Sequence, residues 1–221
     1  MPMKMLGLSI VLLLILSACG PSGFTNSSGA FEDPGVSVDM IPDEPTKQEL
    51  TENIQQTATN DIEAVIANNF ELLDVVQGED AIANVYATRQ FSVSEIVSVI
   101  SEAIEPDEIS DLKNNQQILI YPNHFVTFKV SEEDADVVLM EVATEQFVRD
   151  NYSPSFLQTY FAFRLLDSVL GVPNWGSSRS NKCANGGCYG GYSTSKPYNQ
   201  GSLNTNRGMS DYRGGGPSAG K

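Results

Sequence analysis

One histidine, one tryptophan, three cysteines, and 13 Lys and Arg against 28 Asp and Glu are the scarce reagents of this 221-residue chain. A single histidine, His124, cannot build a multi-histidine zinc centre. The shortage of cations gives a net charge of -15 and excludes nucleic acid as a partner, because phosphates demand clustered Lys and Arg. The apolar stretch at residues 5–16 falls several residues short of the roughly 20 that a membrane-crossing helix needs. From residue 171 onward, aliphatic side chains are too sparse to form a core.

That short apolar stretch follows Lys4 and ends in Leu16-Ser17-Ala18-Cys19. A charged start, a short apolar run and small residues before a cysteine describe a secretory signal at residues 1–18. The cysteine resembles the lipobox residue of bacterial lipoproteins, whose thiol is diacylated with palmitate-type chains. Two acyl chains suffice for stable anchoring, so Cys19 is the expected lipidation site. The expected location is the extracytoplasmic face of the cell membrane.

Charge is distributed unevenly along the mature chain. Residues 20–170 hold 27 acidic against 6 basic side chains, whereas residues 171–221 hold 1 against 6. An acidic body is repelled by polyanions, while a basic tail leans toward them. The 28-residue stretch at 19–46 is rich in Ser, Gly, Pro and Asp and reads as a flexible tether.

From Lys47 the pattern becomes periodic. Ile54, Ala58, Ile62, Val65, Ile66 and Phe70 recur at helical spacing and predict one amphipathic helix ending near Asn69, with Asn60 or Asp61 as an internal start. Residues 72–76 and 81–90 read as extended. Ser92 and Glu95 form a capping box for a helix whose buried stripe is Ile96, Val97, Ile100, Ala103 and Ile104. Residues 117–121, 124–130 and 136–143 predict three strands of an antiparallel meander. A helical region begins near Glu145 and is renewed at Ser153-Pro154. From Phe156 to Leu170 it carries more apolar residues than one narrow stripe hides, so it is buried on several faces or offers one to a partner.

Residues 69–170, with Phe70-Glu71-Leu72-Leu73-Asp74-Val75-Val76, Leu119-Ile120-Tyr121-Pro122, and Glu145-Gln146-Phe147-Val148-Arg149-Asp150-Asn151-Tyr152 leading into Ser155-Phe156-Leu157, resemble bacterial lipoproteins grouped as domain of unknown function 4247. The resemblance implies an envelope lipoprotein with a Gly, Ser and Tyr-rich tail. It brings no reaction, ligand or catalytic residue.

The remaining chemistry is therefore weighed residue by residue. His124 opens a strand-like run and is expected as a solvated or hydrogen-bonded strand position. Glu132, Glu133, Asp134 and Asp136 lack the alternating ligands, central Gly and closing Glu of an EF-hand, and read as a charged turn. Cys183 and Cys188 remain as an even pair once Cys19 is acylated, and outside the cytoplasm they are a candidate disulfide. Four residues separate them, unlike the two of a thioredoxin-like redox site. No catalytic residue, cofactor or metal is assigned.

The expected fold is α+β. It has a small antiparallel sheet of about four strands with helices packed on one side, a globular part at 47–170 and a low-complexity tail at 171–221. The expected role is non-catalytic binding or scaffolding in the envelope, toward a protein or an anionic wall polymer. An enzyme working on wall or lipid material through acidic residues, and a plain structural spacer, are the alternatives.

Overall fold

A computed structural model describes residues 41–78, 80–184 and 187–193. The signal segment, Cys19, the tether up to residue 40 and the tail from residue 194 lie outside the described residues.

The first periodic stretch forms two helices, α1 (Lys47–Gln56) and α2 (Ile62–Asn69), where the spacing alone predicted one. The break is local chemistry: the Asp61 carboxylate accepts from the amides of Glu63 and Ala64 and starts a new helix, while Thr57 turns extended and closes the first. A hairpin follows, β1 (Glu71–Gln77) and β2 (Ile82–Thr88). Helix α3 (Val93–Ala103) begins at the predicted cap, with Glu95 accepting from the Ser92 amide at 2.9 Å, and buries Ile96, Val97 and Ile100. Next come the two-residue strand β3 (Glu108–Ile109) and the meander β4 (Gln116–Tyr121), β5 (His124–Val130) and β6 (Val138–Thr144). Four short helices complete the described chain: α4 (Glu145–Asn151), α5 (Pro154–Leu157), α6 (Phe163–Val169) and α7 (Trp175–Cys183).

All pairings are antiparallel, in the order β1-β2-β6-β5-β4-β3. Six strands stand where about four were expected. Strand β3 is too short to show alternation in sequence, and the β1–β2 hairpin joins the meander because β6 returns to lie beside β2.

Helices cover both faces of the sheet, which corrects the one-sided arrangement. Alternate strand residues are apolar in both directions: Ile118 and Ile120 point to one core with Phe125 and Leu139, while Leu119 and Tyr121 point to a second with Phe128 and Met140. A sheet buried on both faces needs a helical layer on each. Residues of α1, α2 and α3 close the second core, and those of α4 to α7 the first.

The boundary expected at Leu170 also moves. Trp175, Tyr189 and Tyr192 are buried in the first core, so the folded domain runs on to Ser193. Glycine lets this segment take up the surplus apolar surface of the preceding helices. A Cβ at Gly176 would stand 2.4 Å from the Phe163 ring, and one at Gly191, where φ is +90°, would stand 2.9 Å from the Phe156 ring. Trp175 also donates from Nε1 to the Arg149 carbonyl at 2.9 Å. Trp175→Ala should therefore cost about 3–5 kcal/mol in denaturant unfolding, the range for truncating a buried large aromatic. A cost below about 0.5 kcal/mol, ordinary for a surface change, would place the segment outside the cooperative fold.

Candidate functional site

Three local devices shape one end of the sheet. Asn123, in the left-handed region at φ 66°, turns β4 into β5, and its carbonyl accepts from the Glu145 amide at 2.8 Å. Thr144 caps α4 by accepting from the Phe147 amide at 3.1 Å. The Gly78 amide donates to the Ala81 carbonyl at 2.9 Å and closes the β1–β2 turn. Between them lies a groove of about 470 Å³, lined by Ile82, Asn123, His124, Thr144, Gln146 and Arg149 among others.

The basic side chains of the groove each face a carboxylate. His124 Nε2 stands 3.3 Å from Glu63 Oε2, and Glu63 Oε1 accepts from Asn84 Nδ2 at 3.1 Å. Arg149 Nη1 stands 3.3 Å from Glu145 Oε1, and its Nε 3.6 Å from Asp150 Oδ1. Thr144 carries the one hydroxyl among the lining residues, and that oxygen is occupied as the cap of α4.

Ile82 belongs both to the groove and to an apolar stripe beside it. Leu72, Val75 and Ile82 are 47%, 37% and 48% exposed, large values for aliphatic side chains. Strand alternation by itself would send Leu72 and Val75 to opposite faces. A bulge between Leu72 and Asp74 adds one residue, so that Leu72 pairs with Tyr86 and Val75 with Asn84, both on the α1–α3 face of β2. Asp74 holds the bulge: its Oδ1 accepts from the Val75 amide at 2.7 Å, and its Oδ2 from the Tyr192 hydroxyl at 2.9 Å.

Tyr192 leads to the most unusual residue of the core. Glu141, on β6 in the middle of the sheet, is 2% exposed. Its Oε1 accepts from the Tyr152 hydroxyl at 2.9 Å and its Oε2 from the Tyr192 amide at 3.2 Å. The Tyr189 side chain also bears on the carboxylate. Burial pushes the Glu141 carboxyl up to about 7, against hydrogen bonds from the tyrosines and the nearby charge of Lys129, all of which favour ionisation. Burial first, and then the Glu141 charge, holds the Tyr152 and Tyr189 hydroxyls well above their usual range. Around this carboxyl the strap at residues 187–193 is tied down. The Tyr189 amide donates to the Asn151 carbonyl at 2.8 Å, Lys129 Nζ to the Tyr192 carbonyl at 3.3 Å, and the Ser193 hydroxyl to Glu132 Oε2 at 2.9 Å.

The residues singled out in the sequence fall in different places. Cys19 is outside the described residues. Cys183 ends α7 and is joined to Cys188 just before Tyr189, with the two Cα atoms 5.3 Å apart. His124 stands at the start of β5, with Nε2 3.3 Å from a Glu63 carboxylate oxygen. In the acidic run, Glu132 pairs with Lys129 at 2.7 Å and Asp134 with Arg89 at 2.6 Å. Among the described residues no group of three or more His, Cys, Asp or Glu is placed to hold a metal. Gly216-Pro217-Ser218-Ala219-Gly220 has the spacing of a nucleophile elbow but not its strand-to-helix setting in sequence, and it lies outside the described residues. Glu141 had not been singled out, although one acid inside Val137-Val138-Leu139-Met140-Glu141-Val142-Ala143 is the pattern of a buried carboxylate.

Fold and site together define a three-layer α+β domain with an occupied aromatic core on one face, an open apolar edge, and a groove at one end of the sheet. The chain belongs to the family described as Domain of unknown function (DUF4247), whose model matches residues 51–221. No curated protein and no solved structure matches it. Among the described residues no helix is long and apolar enough to cross a membrane.

Glu141 gives this fold a pH signature. Its carboxyl titrates near 4.5 when unfolded and near 7 when folded, so the native state holds the proton more tightly. The stabilisation is complete below about pH 4.5, is lost as pH rises toward about 7, and is flat above that. Asp74, Glu132 and Glu133 add negative charge on the strap side, and Lys129 opposes them. Relative to Glu141→Gln, which does not titrate, the wild-type protein should lose on the order of 3 kcal/mol of unfolding free energy between pH 4 and pH 8. Parallel curves for the two proteins would show that the carboxyl is not held in the buried state described.

Proposed function

We propose that the protein is a lipoprotein held at the extracytoplasmic face of the membrane through diacylated Cys19, and that its domain binds a protein partner in the cell envelope without catalysing a reaction. The exposed stripe of Leu72, Val75 and Ile82 carries this reading, because three large aliphatic side chains left bare together beside a groove suit association better than solubility. A plain spacer has no use for such a stripe. A protein is preferred to an anionic wall polymer because the strand bearing the stripe also bears Glu71 and Asp74 and no cation. The enzyme alternative would draw on the His124–Glu63 pair at the groove, where no free nucleophile accompanies it among the lining residues.

The placement at the membrane is tested by labelling cells with a palmitate analogue and fractionating them. The native protein should carry label and sediment with membranes, and Cys19→Ala should lose the label and appear in soluble fractions. Equal membrane association of an unlabelled Cys19→Ala protein would contradict lipid anchoring. The binding role is tested by crosslinking intact cells and recovering the anchored protein: a reproducible protein adduct supports it, and a folded, correctly located protein with no adduct counts against it.

A further inference from the structure

Strand β1 is one edge of the sheet, seven residues long, and among the described residues only β2 pairs with it. An edge strand presents a row of unpaired backbone donors and acceptors, and natural proteins blunt such rows with cations, prolines, bulges, short strands or cover; the bulge of β1 is confined to Leu72–Asp74, and Val75 to Gln77 pair regularly beyond it. At the opposite edge, β3 is only two residues long. Strand β1 has neither Lys nor Pro, and apolar side chains flank its open edge on the α1–α3 face.

The stretch of chain that supplies this edge carries charge of one sign. Residues 48–88, which span most of α1, all of α2, and the β1–β2 hairpin, contain no Lys or Arg and eight acids: Glu49, Glu52, Asp61, Glu63, Glu71, Asp74, Glu79 and Asp80. Glu71 and Asp80 are exposed at the two ends of β1. Like charges disfavour a second copy of the same edge, and they favour a cationic partner. The chain's own residues 194–221 are basic but rich in Gly, Ser and Asn, with Thr194 and Thr205 as their only β-branched residues. Such a composition is a poor strand to lay along an apolar stripe.

We propose that β1 is a receptor edge onto which an extended, cationic segment of a partner protein adds as a seventh strand, with its apolar side chains beside Leu72 and Val75 and its cations toward Glu71 and Asp80. The proposal rests on the binding reading above and names its partner chemistry. Main-chain hydrogen bonds supply affinity in this mode, and alternate side chains supply specificity. The bulge at Asp74 serves it by bringing Leu72 and Val75 to one face, so that an incoming strand meets both apolar side chains on the same side of the edge.

The test uses the full chain and a synthetic eight-residue peptide of alternating Val and Lys, with Val/Glu and Ser/Lys peptides as controls, read by hydrogen exchange and by titration. The Val/Lys peptide should slow exchange in β1 and leave β3 unchanged. Its affinity should fall about tenfold on raising salt from low to molar, where exposed charges are screened. Val75→Lys and Leu72→Lys should each weaken it by about tenfold or more, since they place a charge in the apolar row. Both positions are exposed, and unchanged melting of the variants confirms that the fold is intact. Glu71→Lys, which leaves the stripe untouched, should weaken the Val/Lys peptide alone.

Equal binding of the Val/Glu peptide would overturn the cationic assignment. Protection of β1 that is already present without peptide and is lost on removing residues 194–221 would make the tail the occupant. A dimer dissociated by Val75→Lys would make it a second copy. Either result overturns the proposal. If cells yield a crosslinked partner but no peptide protects β1, the strand-addition mode fails while the binding reading stands. If no partner is crosslinked either, both fail.

Discussion

A carboxyl group buried under three tyrosines organises this domain. Glu141 sits on the strand that joins the β1–β2 hairpin to the meander, and the chain satisfies it with the Tyr152 hydroxyl after α4 and the Tyr192 amide at the end of the strap. A buried, unpaired carboxylate is costly, so the C-terminal segment must lie over β6 for the sheet to keep an acid there. Tyr192 then extends the link from the sheet centre to its edge, because the residue whose amide binds Glu141 also gives its hydroxyl to Asp74. Asp74 holds the bulge that sets Leu72 and Val75 on one face. The shape of the open edge therefore depends on a contact in the core, and the strap transmits it.

Much of this architecture was legible in the sequence, and the rest was hidden for physical reasons. The Ser92–Glu95 cap, the β1–β2 hairpin and the β4–β5–β6 meander follow from local signals, namely a capping pair, turn residues and strand-forming runs, and these compete with little else. The split between α1 and α2 depended on whether Asp61 would cap a new helix or ride on the surface of a continuous one, a choice that periodicity does not decide. The apolar abundance of residues 156–170 was visible, but its cover was not. Glycines packed on Phe156 and Phe163 look in sequence like linker composition. Tyr189 and Tyr192 look like tail aromatics for the same reason, although both belong to the core.

The candidate site was less legible than the fold. Its groove draws on residues from α4, β2, β5, β6 and two turns, and only His124 among them stands out chemically in the sequence. The stripe depends on a bulge, which changes the parity of β1 and leaves no mark in composition. Reading β1 as a regular strand would have scattered Leu72 and Val75 over two faces and hidden the row they form. The acidity of residues 48–88 was there to be counted, but it acquires meaning only once β1, which carries Glu71 and Asp74, is seen to be an open edge.

The account places a partner at that edge, and contact from a single position in the living cell tests this most directly. A photoreactive residue at position 75 of the anchored protein, compared with one at the exposed position 102 on α3, reports which surface is occupied. A discrete protein adduct from position 75, with none from position 102, is the predicted result. Adducts of equal yield from both positions, or none from position 75 in a folded and membrane-held protein, would contradict it.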